Sequence, residues 1–197
     1  MTTQVTGSGV NFNGSTSGTI TLTQPAIAGT NTVTLPAETG TLRSTVSSGT
    51  VLQVVSYQTG AVATGTTLIP WDDTIPQITE GNEYMSLAIT PKSATSRLKI
   101  DVVAFATSNA SVALTVAIFQ DSTAGALAAA NSINANVGWP VNFSFSHNMV
   151  SGTTSSTTFK IRIGGHSAGT VTFNGTSSAR LFGGVLASSI TITEVVP

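Results

Sequence analysis

The sequence contains no cysteine and few charged residues, and both absences narrow the classes of protein to which it can belong. Of its 197 residues, only 8% are charged, well below the ~25% usual for soluble domains. Without cysteine, the chain has neither a disulfide framework nor a thiol nucleophile. It is still long enough to bury a core, and 40% of its residues are hydrophobic. Its surface must therefore consist mostly of Thr, Ser, Asn, Gln and Gly.

The scarcity of charge also bears on partners and location. Seven Lys and Arg residues lie scattered along the chain and form no basic patch, so no nucleic-acid partner is predicted. The sequence contains no run of about 18 apolar residues, which is the length that a membrane-spanning helix needs. The polar first eighteen residues do not resemble a signal peptide, so synthesis in a cytosol is expected. A net charge of −1 favours association, which predicts that sister subunits or a larger assembly cover much of the surface.

Short apolar–polar alternations separated by Gly, Pro, Asn and Ser predict an all-β chain. Residues 1–48 are expected to form an extended arm, because Pro25, Gly29 and Pro36 interrupt the alternations there. Residues 49–197 are expected to form a sandwich or barrel, since no long amphipathic helix separates the strands. The strands predicted in this domain are Val51–Gln58, Thr66–Ile69, Tyr84–Thr90, Arg97–Ala106, Val112–Gln120, Val141–Asn148, Thr157–Ile163, Gly169–Phe173 and Ser188–Val196. Ala124–Asn134 fits either a short helix or a strand of small residues.

The last predicted strand, Ser188–Val196, is expected to close a sheet. Its alternation sends Ile190 and Ile192 to one face. A chain terminus frays unless a sheet holds it. The glycine pair in Arg180–Leu186 allows the turn that leads into this strand.

Two other predicted strands, Arg97–Ala106 and Val112–Gln120, are apolar on both faces. One face of a sandwich strand packs in the core, and the second face needs another cover. A contact between subunits is the natural cover, and the residues predicted to form this subunit interface are Val103, Phe105, Ala117 and Phe119. The alternative is that a loop or the arm folds over the second face.

Catalytic and metal-binding patterns are missing from the sequence, which predicts that the protein is not an enzyme and needs no cofactor. His147 and His166 stand without a GxSxG motif or an accompanying carboxylate pattern. Metal-ligand spacings such as HxxxH are also missing.

One acidic and aromatic stretch is a candidate ligand loop. It comprises Trp71, Asp72, Asp73, Glu80, Glu83 and Tyr84. It could be a solvated connection between strands, a site that binds calcium or a sugar, or a pair of carboxylates that hydrolyses glycosidic bonds. Its spacing matches no regular ligand pattern.

Two stretches resemble a known group of proteins. Residues 18–42 (GTITLTQPAIAGTNTVTLPAETGTL) resemble a segment that recurs in tail-fibre and head-decoration proteins of tailed bacteriophages. Residues 172–195 (TFNGTSSARLFGGVLASSITITEV) are similar to the closing segment of small phage β-domains with a jelly-roll, TNF-like fold. The resemblance implies a jelly-roll-like sandwich with an N-terminal arm that anchors it to a virion.

The resemblance also implies a function and partners. We expect a homotrimeric capsid decoration (cement) protein that stabilises the head shell and binds the major capsid protein or other virion proteins. In this assembly the residues predicted to form the subunit interface would form a trimer interface. A tail-fibre or receptor-binding protein that attaches to a glycan or protein of the host surface is the alternative, and a small glycan-degrading tailspike is a weaker one. The residues expected to contact the virion are Ile20, Leu22, Val33 and Leu35.

Overall fold

The structure is a computed structural model that describes residues 10–13, 19–22, 48–133 and 136–197. Fourteen strands and one short 3-10 turn, Phe182–Gly184, form in these residues. The strands are β1 (Val10–Asn13), β2 (Thr19–Leu22), β3 (Val51–Thr59), β4 (Ala63–Gly65), β5 (Asn82–Ile89), β6 (Arg97–Ser108), β7 (Ala113–Gln120), β8 (Ala128–Ile133), β9 (Val141–Val150), β10 (Thr157–Gly165), β11 (Val171–Phe173), β12 (Gly175–Thr176), β13 (Ala179–Arg180) and β14 (Ser188–Val195). In the described part of the chain, no helix is long and apolar enough to cross a membrane.

The chain divides into two units, residues 1–42 and residues 43–197. In the first unit, β1 and β2 form an antiparallel pair that joins Val10 to Leu22. Ile20 and Leu22, two of the residues predicted to contact a virion, belong to β2. Their side chains, and the whole of Val33 and Leu35, lie outside the described residues. The two-unit boundary predicted after residue 48 remains a prediction.

The second unit is an all-β, jelly-roll-like sandwich, which confirms the predicted fold class. One layer, which we call the six-stranded sheet, has the order β3-β14-β6-β11-β4. The remaining strand, β9, pairs with the opposite edge of β6, because Ala106 pairs with Val141 of β9 on one side and with Phe173 of β11 on the other. The other layer, which we call the four-stranded sheet, has the order β5-β10-β7-β8. The two layers enclose one hydrophobic core, to which both contribute side chains such as Ile100, Ile161 and Ile190.

The last strand closes the six-stranded sheet, as predicted. β14 pairs with β3 on one side and with β6 on the other, and both pairings are antiparallel. Ile190 and Ile192 are fully buried in the core, and Glu194 is buried on the same face. Side chains two residues apart lie on the same face of a strand. The structure therefore confirms the alternation that the sequence predicts for this strand.

The prediction of a strand at Thr66–Ile69 is wrong. This segment follows β4 but pairs with no strand. Its backbone instead forms hydrogen bonds with Gly81 in a loop and with Gly165 at the end of β10. Ala124–Asn134, which fitted either a helix or a strand, contains strand β8. Alanines suit this strand because Ala129 lies directly opposite Ala117 of β7.

The outer face of the four-stranded sheet is covered by residues 66–81, which we call the cover segment. At one point the Ile69 N–H donates to the Gly165 carbonyl at 3.1 Å. Further along, the Ala126 N–H donates to the Pro76 carbonyl at 2.9 Å. At its end, the Arg162 guanidinium donates to the Glu80 and Gly81 carbonyls at 2.8 and 2.7 Å. The chain therefore supplies its own cover for this face.

Candidate binding surfaces

Three large aromatic side chains lie exposed at one end of the sandwich. These are the most exposed aromatic residues in the described part of the chain, Trp71 (61%), Trp139 (65%) and Phe182 (73%). This end, which we call the aromatic end, is where β6 finishes at Ser108 and β7 begins at Ala113. It lies opposite the end where the chain enters β3, because Val51 pairs with Val195 and Val195 pairs with Arg97.

Local backbone structure fixes two of these aromatics. Gly138, beside Trp139, has a φ of +77°, donates to the Ser108 carbonyl at 2.8 Å and accepts from the Thr176 hydroxyl at 2.9 Å. Phe182 has a φ of +49°, a strained conformation for a bulky residue. The turn that contains Phe182 lies against Gly60 through the Gly184 carbonyl, with which any side chain at position 60 would collide. Both aromatics are thus presented outward by fixed turns.

Trp71 is held by a histidine. Its indole meets the His166 ring edge-on, with centroids 5.6 Å apart and planes 71° apart. His166 is itself fixed by two hydrogen bonds to Ala113. Its ring Nδ1 accepts from the Ala113 backbone N–H at 2.9 Å, and its backbone N–H donates to the Ala113 carbonyl at 3.0 Å. An Nδ1 that accepts a hydrogen bond carries no proton, so the ring proton is on Nε2.

A recess of about 210 Å³ opens beside Trp71. The cover segment forms one wall and strands β7 and β8 form the other, through Thr115 and Asn131. The Asn131 amide donates to the Thr115 hydroxyl at 2.8 Å. Asp72 Oδ1 accepts hydrogen bonds from the Thr74 hydroxyl at 2.5 Å and from the Thr74 N–H at 2.9 Å. These two bonds, the hydroxyl first, lower the pKa of Asp72 below its usual 3.8, so the carboxylate is ionised at neutral pH.

The acidic residues of the candidate ligand loop do not converge. Glu80 Oε2 accepts from the Gln77 N–H at 2.9 Å, and Glu83 forms a 3.6 Å ion pair with Arg162. Tyr84 turns into the core and stacks on Phe173 at 4.9 Å. Within residues 48–133 and 136–197, no three His, Asp or Glu side chains gather closely enough to hold a metal ion. Of the predicted loop, only Trp71 and Asp72 line the recess.

The four residues predicted to form a trimer interface divide into two pairs. Ala117 and Phe119 are fully buried within the single chain, because the cover segment lies over their face of β7. They cannot reach a neighbouring subunit unless that cover moves. Val103 and Phe105 are half-buried and point away from the core, since Val102 and Ala104 on the same strand point into it.

The face that carries Val103 and Phe105 holds little charge. On the outward side of β3, β14, β6 and β9, the charged residues are Arg97, Lys99 and Asp101. Lys99 and Asp101 neutralise each other in a 2.9 Å ion pair. The remaining outward residues are mostly Ser, Thr and Asn. This face, which we call the hydroxyl face, is not covered by any described segment of the chain in the way that residues 66–81 cover the opposite layer.

A protein-family model matches residues 66–197, about two thirds of the chain, and its description is Chlam_vir, Pgp3 C-terminal domain. The chain belongs to this family. The match begins at the cover segment and runs through β14, so it includes both walls of the Trp71 recess. Strands β3 and β4 precede the matched region, although they pair with β14 and β11 inside it.

Solved structures align with the chain at low sequence identity and low TM-scores. The Eiger TNF of S. frugiperda aligns with a TM-score of 0.41 and 6% identity, over 72% of this chain and 92% of that one. The VP2 subviral particle of infectious bursal disease virus aligns with a TM-score of 0.35 and 14% identity, over 91% of this chain and 47% of that one. No curated protein matches the chain by sequence.

Membership in the Pgp3 C-terminal domain family corrects the predicted identity. The chain is not a member of a bacteriophage virion family, so the capsid-decoration function and its tail-fibre and tailspike alternatives are wrong. The predicted location in a virion is wrong for the same reason.

Sequence reasoning missed several residues that shape the recess. Thr115 and Asn131 belong to β7 and β8 and stand 16 residues apart, and nothing in the local pattern links them to Trp71. The sequence pattern around His166 gives it no structural role, whereas in the structure its ring contacts Trp71 and positions it. A local signal did exist for Asp72, because Asp followed two residues later by Thr is typical of a side chain that caps its own turn.

Proposed function

We propose that the chain is a non-catalytic, homotrimeric binding protein whose copies associate through the hydroxyl face and present their aromatic ends together. The observation that carries this proposal is the uncovered outer face of the six-stranded sheet, where half-buried Val103 and Phe105 stand among Ser and Thr with almost no unpaired charge. Depletion of charge and the presence of aromatic residues are typical of the centre of an interface.

The short side chains and the scarcity of charge on this face favour association. Short hydroxyl side chains such as Thr191 and Thr193 of β14 lie on this face, and a second copy can approach short side chains closely. Few ions have to lose water, so the desolvation penalty that opposes burial of charge is small. By analogy with sandwiches of the TNF-like class, which are often trimeric, three copies is the stoichiometry that we propose.

The use of the polar residues supports binding over catalysis. Asp72, Glu80 and Glu194 each bind backbone or hydroxyl groups of their own chain. His147 lies on β9 and His166 follows β10, in different sheets. A protein of this kind works by holding ligands at three sites at once, because linked sites raise the effective concentration of each ligand.

The test is the mass of the protein in solution. Analytical ultracentrifugation at micromolar concentration should give three times the 20.0 kDa of one chain. Val103→Glu places three carboxylates in the proposed interface and should convert the trimer to a folded monomer, because each buried charge would be unpaired.

A matched variant controls for the added charge. Ala88 is exposed on β5 of the other sheet, so Ala88→Glu should remain trimeric, and circular dichroism should show that both variants are folded. A monomeric parent protein would overturn the proposal. A trimeric Val103→Glu variant would show that the subunits associate through another surface.

A further inference from the structure

We propose that the recess beside Trp71 is a carbohydrate site that binds one pyranose ring of a neutral glycan. The site consists of Trp71, Asp72, Thr115 and Asn131. It deepens the proposed function, because it names the ligand that the aromatic end would present in three copies.

Trp71 supplies the platform. A pyranose has an apolar face of C–H groups and an equator of hydroxyls, so it stacks on an aromatic ring that is open on one side. Trp71 meets this requirement, because 61% of it is exposed while His166 contacts it edge-on at 5.6 Å. A ring that is already held in place loses little conformational freedom when a ligand binds.

The polar groups around the platform suit sugar hydroxyls. Asp72 Oδ1 is occupied by Thr74, whereas Oδ2 accepts no hydrogen bond from any described residue and is available to a hydroxyl donor. Asn131 uses one amide hydrogen on Thr115, which leaves its second amide hydrogen and its carbonyl oxygen for a ligand. A carboxylate and an amide beside an aromatic ring can thus accept from and donate to neighbouring hydroxyls.

Size and charge narrow the ligand class. The recess, at about 210 Å³, is below the ~300–1,000 Å³ usual for drug-sized ligands, so it suits one ring and not an extended oligosaccharide. Asp72 lines the recess and is ionised. Its carboxylate repels an anionic sugar, so neutral hexoses and N-acetylhexosamines are favoured over sialic or uronic acids.

A single shallow site of this kind binds weakly. Three copies on one trimer would strengthen binding to a surface that displays many glycans, by 10²–10⁴-fold where the spacing permits it. Binding to an immobilised glycan therefore depends on the trimer, whereas binding to a free monosaccharide does not.

The experiment begins with a printed array of neutral and sialylated oligosaccharides, probed with the full-length protein. Binding to neutral glycans with exposed pyranose ends is expected, and the methyl glycoside of the terminal sugar from the strongest ligand is then titrated by isothermal calorimetry. Trp71→Ala should weaken this binding at least about ten-fold, because it removes the stacking platform.

Trp139→Ala is the matched control, because Trp139 is equally exposed at the same end but lies outside the recess. This variant should bind like the parent, and Asn131→Ala should weaken binding without a change in melting temperature. An array without neutral ligands, or loss of binding in Trp139→Ala and not in Trp71→Ala, would overturn the proposal.

The Val103→Glu variant separates the two proposals. If it is monomeric and still binds the methyl glycoside, both stand. If it is monomeric and the parent trimer binds no glycan, the carbohydrate site fails alone. Glycan binding by a parent protein that is monomeric would leave the site standing and refute the trimer.

Discussion

At the scale of single residues, the Glu194 carboxylate links several segments of the chain through its hydrogen bonds. Its carboxylate accepts hydrogen bonds from the Ser96 hydroxyl and the Gln53 amide, each at 2.6 Å. It also accepts from the backbone N–H groups of Lys92 and Ser93, at 2.8 and 3.2 Å. One carboxylate on the last strand thus fastens the turn before β6 and the first strand of the domain.

Replacing Glu194 with Gln should destabilise the fold. The amide keeps the size of the side chain but loses the charge, and its NH₂ group would face backbone donors. Hydrogen bonds to a charged group contribute about 1.5–3 kcal/mol each when they are removed singly, so a loss of about 2 kcal/mol in the free energy of unfolding is expected. Urea denaturation at pH 7 measures it, and equal stability of variant and parent would refute this role.

The pH dependence of stability gives an independent check on Glu194. Burial by itself raises the pKa of this carboxyl, but the hydrogen bonds from Ser96, Gln53, Lys92 and Ser93 outweigh it, so the folded pKa lies below the usual 4.5. The unfolded state therefore binds the proton more tightly than the folded state. The stabilisation is complete above pH 4.5 and is lost as the pH falls through the folded pKa. Unfolding curves below pH 5 should show a steeper loss of stability in the parent than in Glu194→Gln.

Tyr84 is a residue whose polar group is expected to weaken the fold. Its hydroxyl is buried without a hydrogen-bond partner, while its ring stacks on Phe173. Burial raises the pKa of Tyr84 to about 12. Because an unpaired buried hydroxyl costs about 1–3 kcal/mol, Tyr84→Phe should increase the free energy of unfolding by up to about 1 kcal/mol. Tyr57→Phe, at a residue that is 41% exposed, is the control and should change little in the same urea titration.

At the scale of elements, β14 decides whether the six-stranded sheet can form. It pairs along its whole length with β3 and β6, two strands that have no direct pairing in the described residues. A chain that stops after Ser189 loses Ile190, Ile192 and Glu194, which are all fully buried. Truncation of one buried isoleucine to alanine already costs about 2–5 kcal/mol, and whole domains are stable by only about 5–15 kcal/mol.

This truncation should therefore abolish folding and, with it, association. Circular dichroism should lose the cooperative thermal transition, and sedimentation should show aggregate or an expanded monomer. Removal of residues 1–42, which form a separate unit, is the control and should preserve the transition. A cooperative transition in the C-terminal truncation would refute the central place given to β14.

The element scale also shows where local sequence patterns stop being informative. The alternation in β10, with Phe159, Ile161 and Ile163 buried, was predictable because each residue's face follows from strand geometry alone. The apolar second face of β7 was equally predictable. The sequence did not decide whether a second subunit or a loop of the same chain covers that face. The cover segment supplies this cover, through contacts such as the Pro76–Ala126 and Glu80–Arg162 hydrogen bonds, which join residues far apart along the chain.

At the scale of the whole molecule, the domain separates its two candidate surfaces. The hydroxyl face runs along the side of the sandwich, and the aromatic end faces away from the start of β3. Association through the side would leave the end open in every subunit. The mass measurement on Val103→Glu and the comparison of Trp71→Ala with Trp139→Ala test these surfaces separately.

The sequence by itself determined the all-β class, the scarcity of charge and the closing position of β14, because alternation, composition and turn residues are local properties. It placed Trp71 and Asp72 in a candidate ligand loop but could not identify Thr115, Asn131 and His166 as their neighbours. Only the tertiary structure decided that arrangement, and only it showed that Glu194 binds groups about 100 residues away. Such contacts depend on the register between strands, and register is set by packing across the whole core.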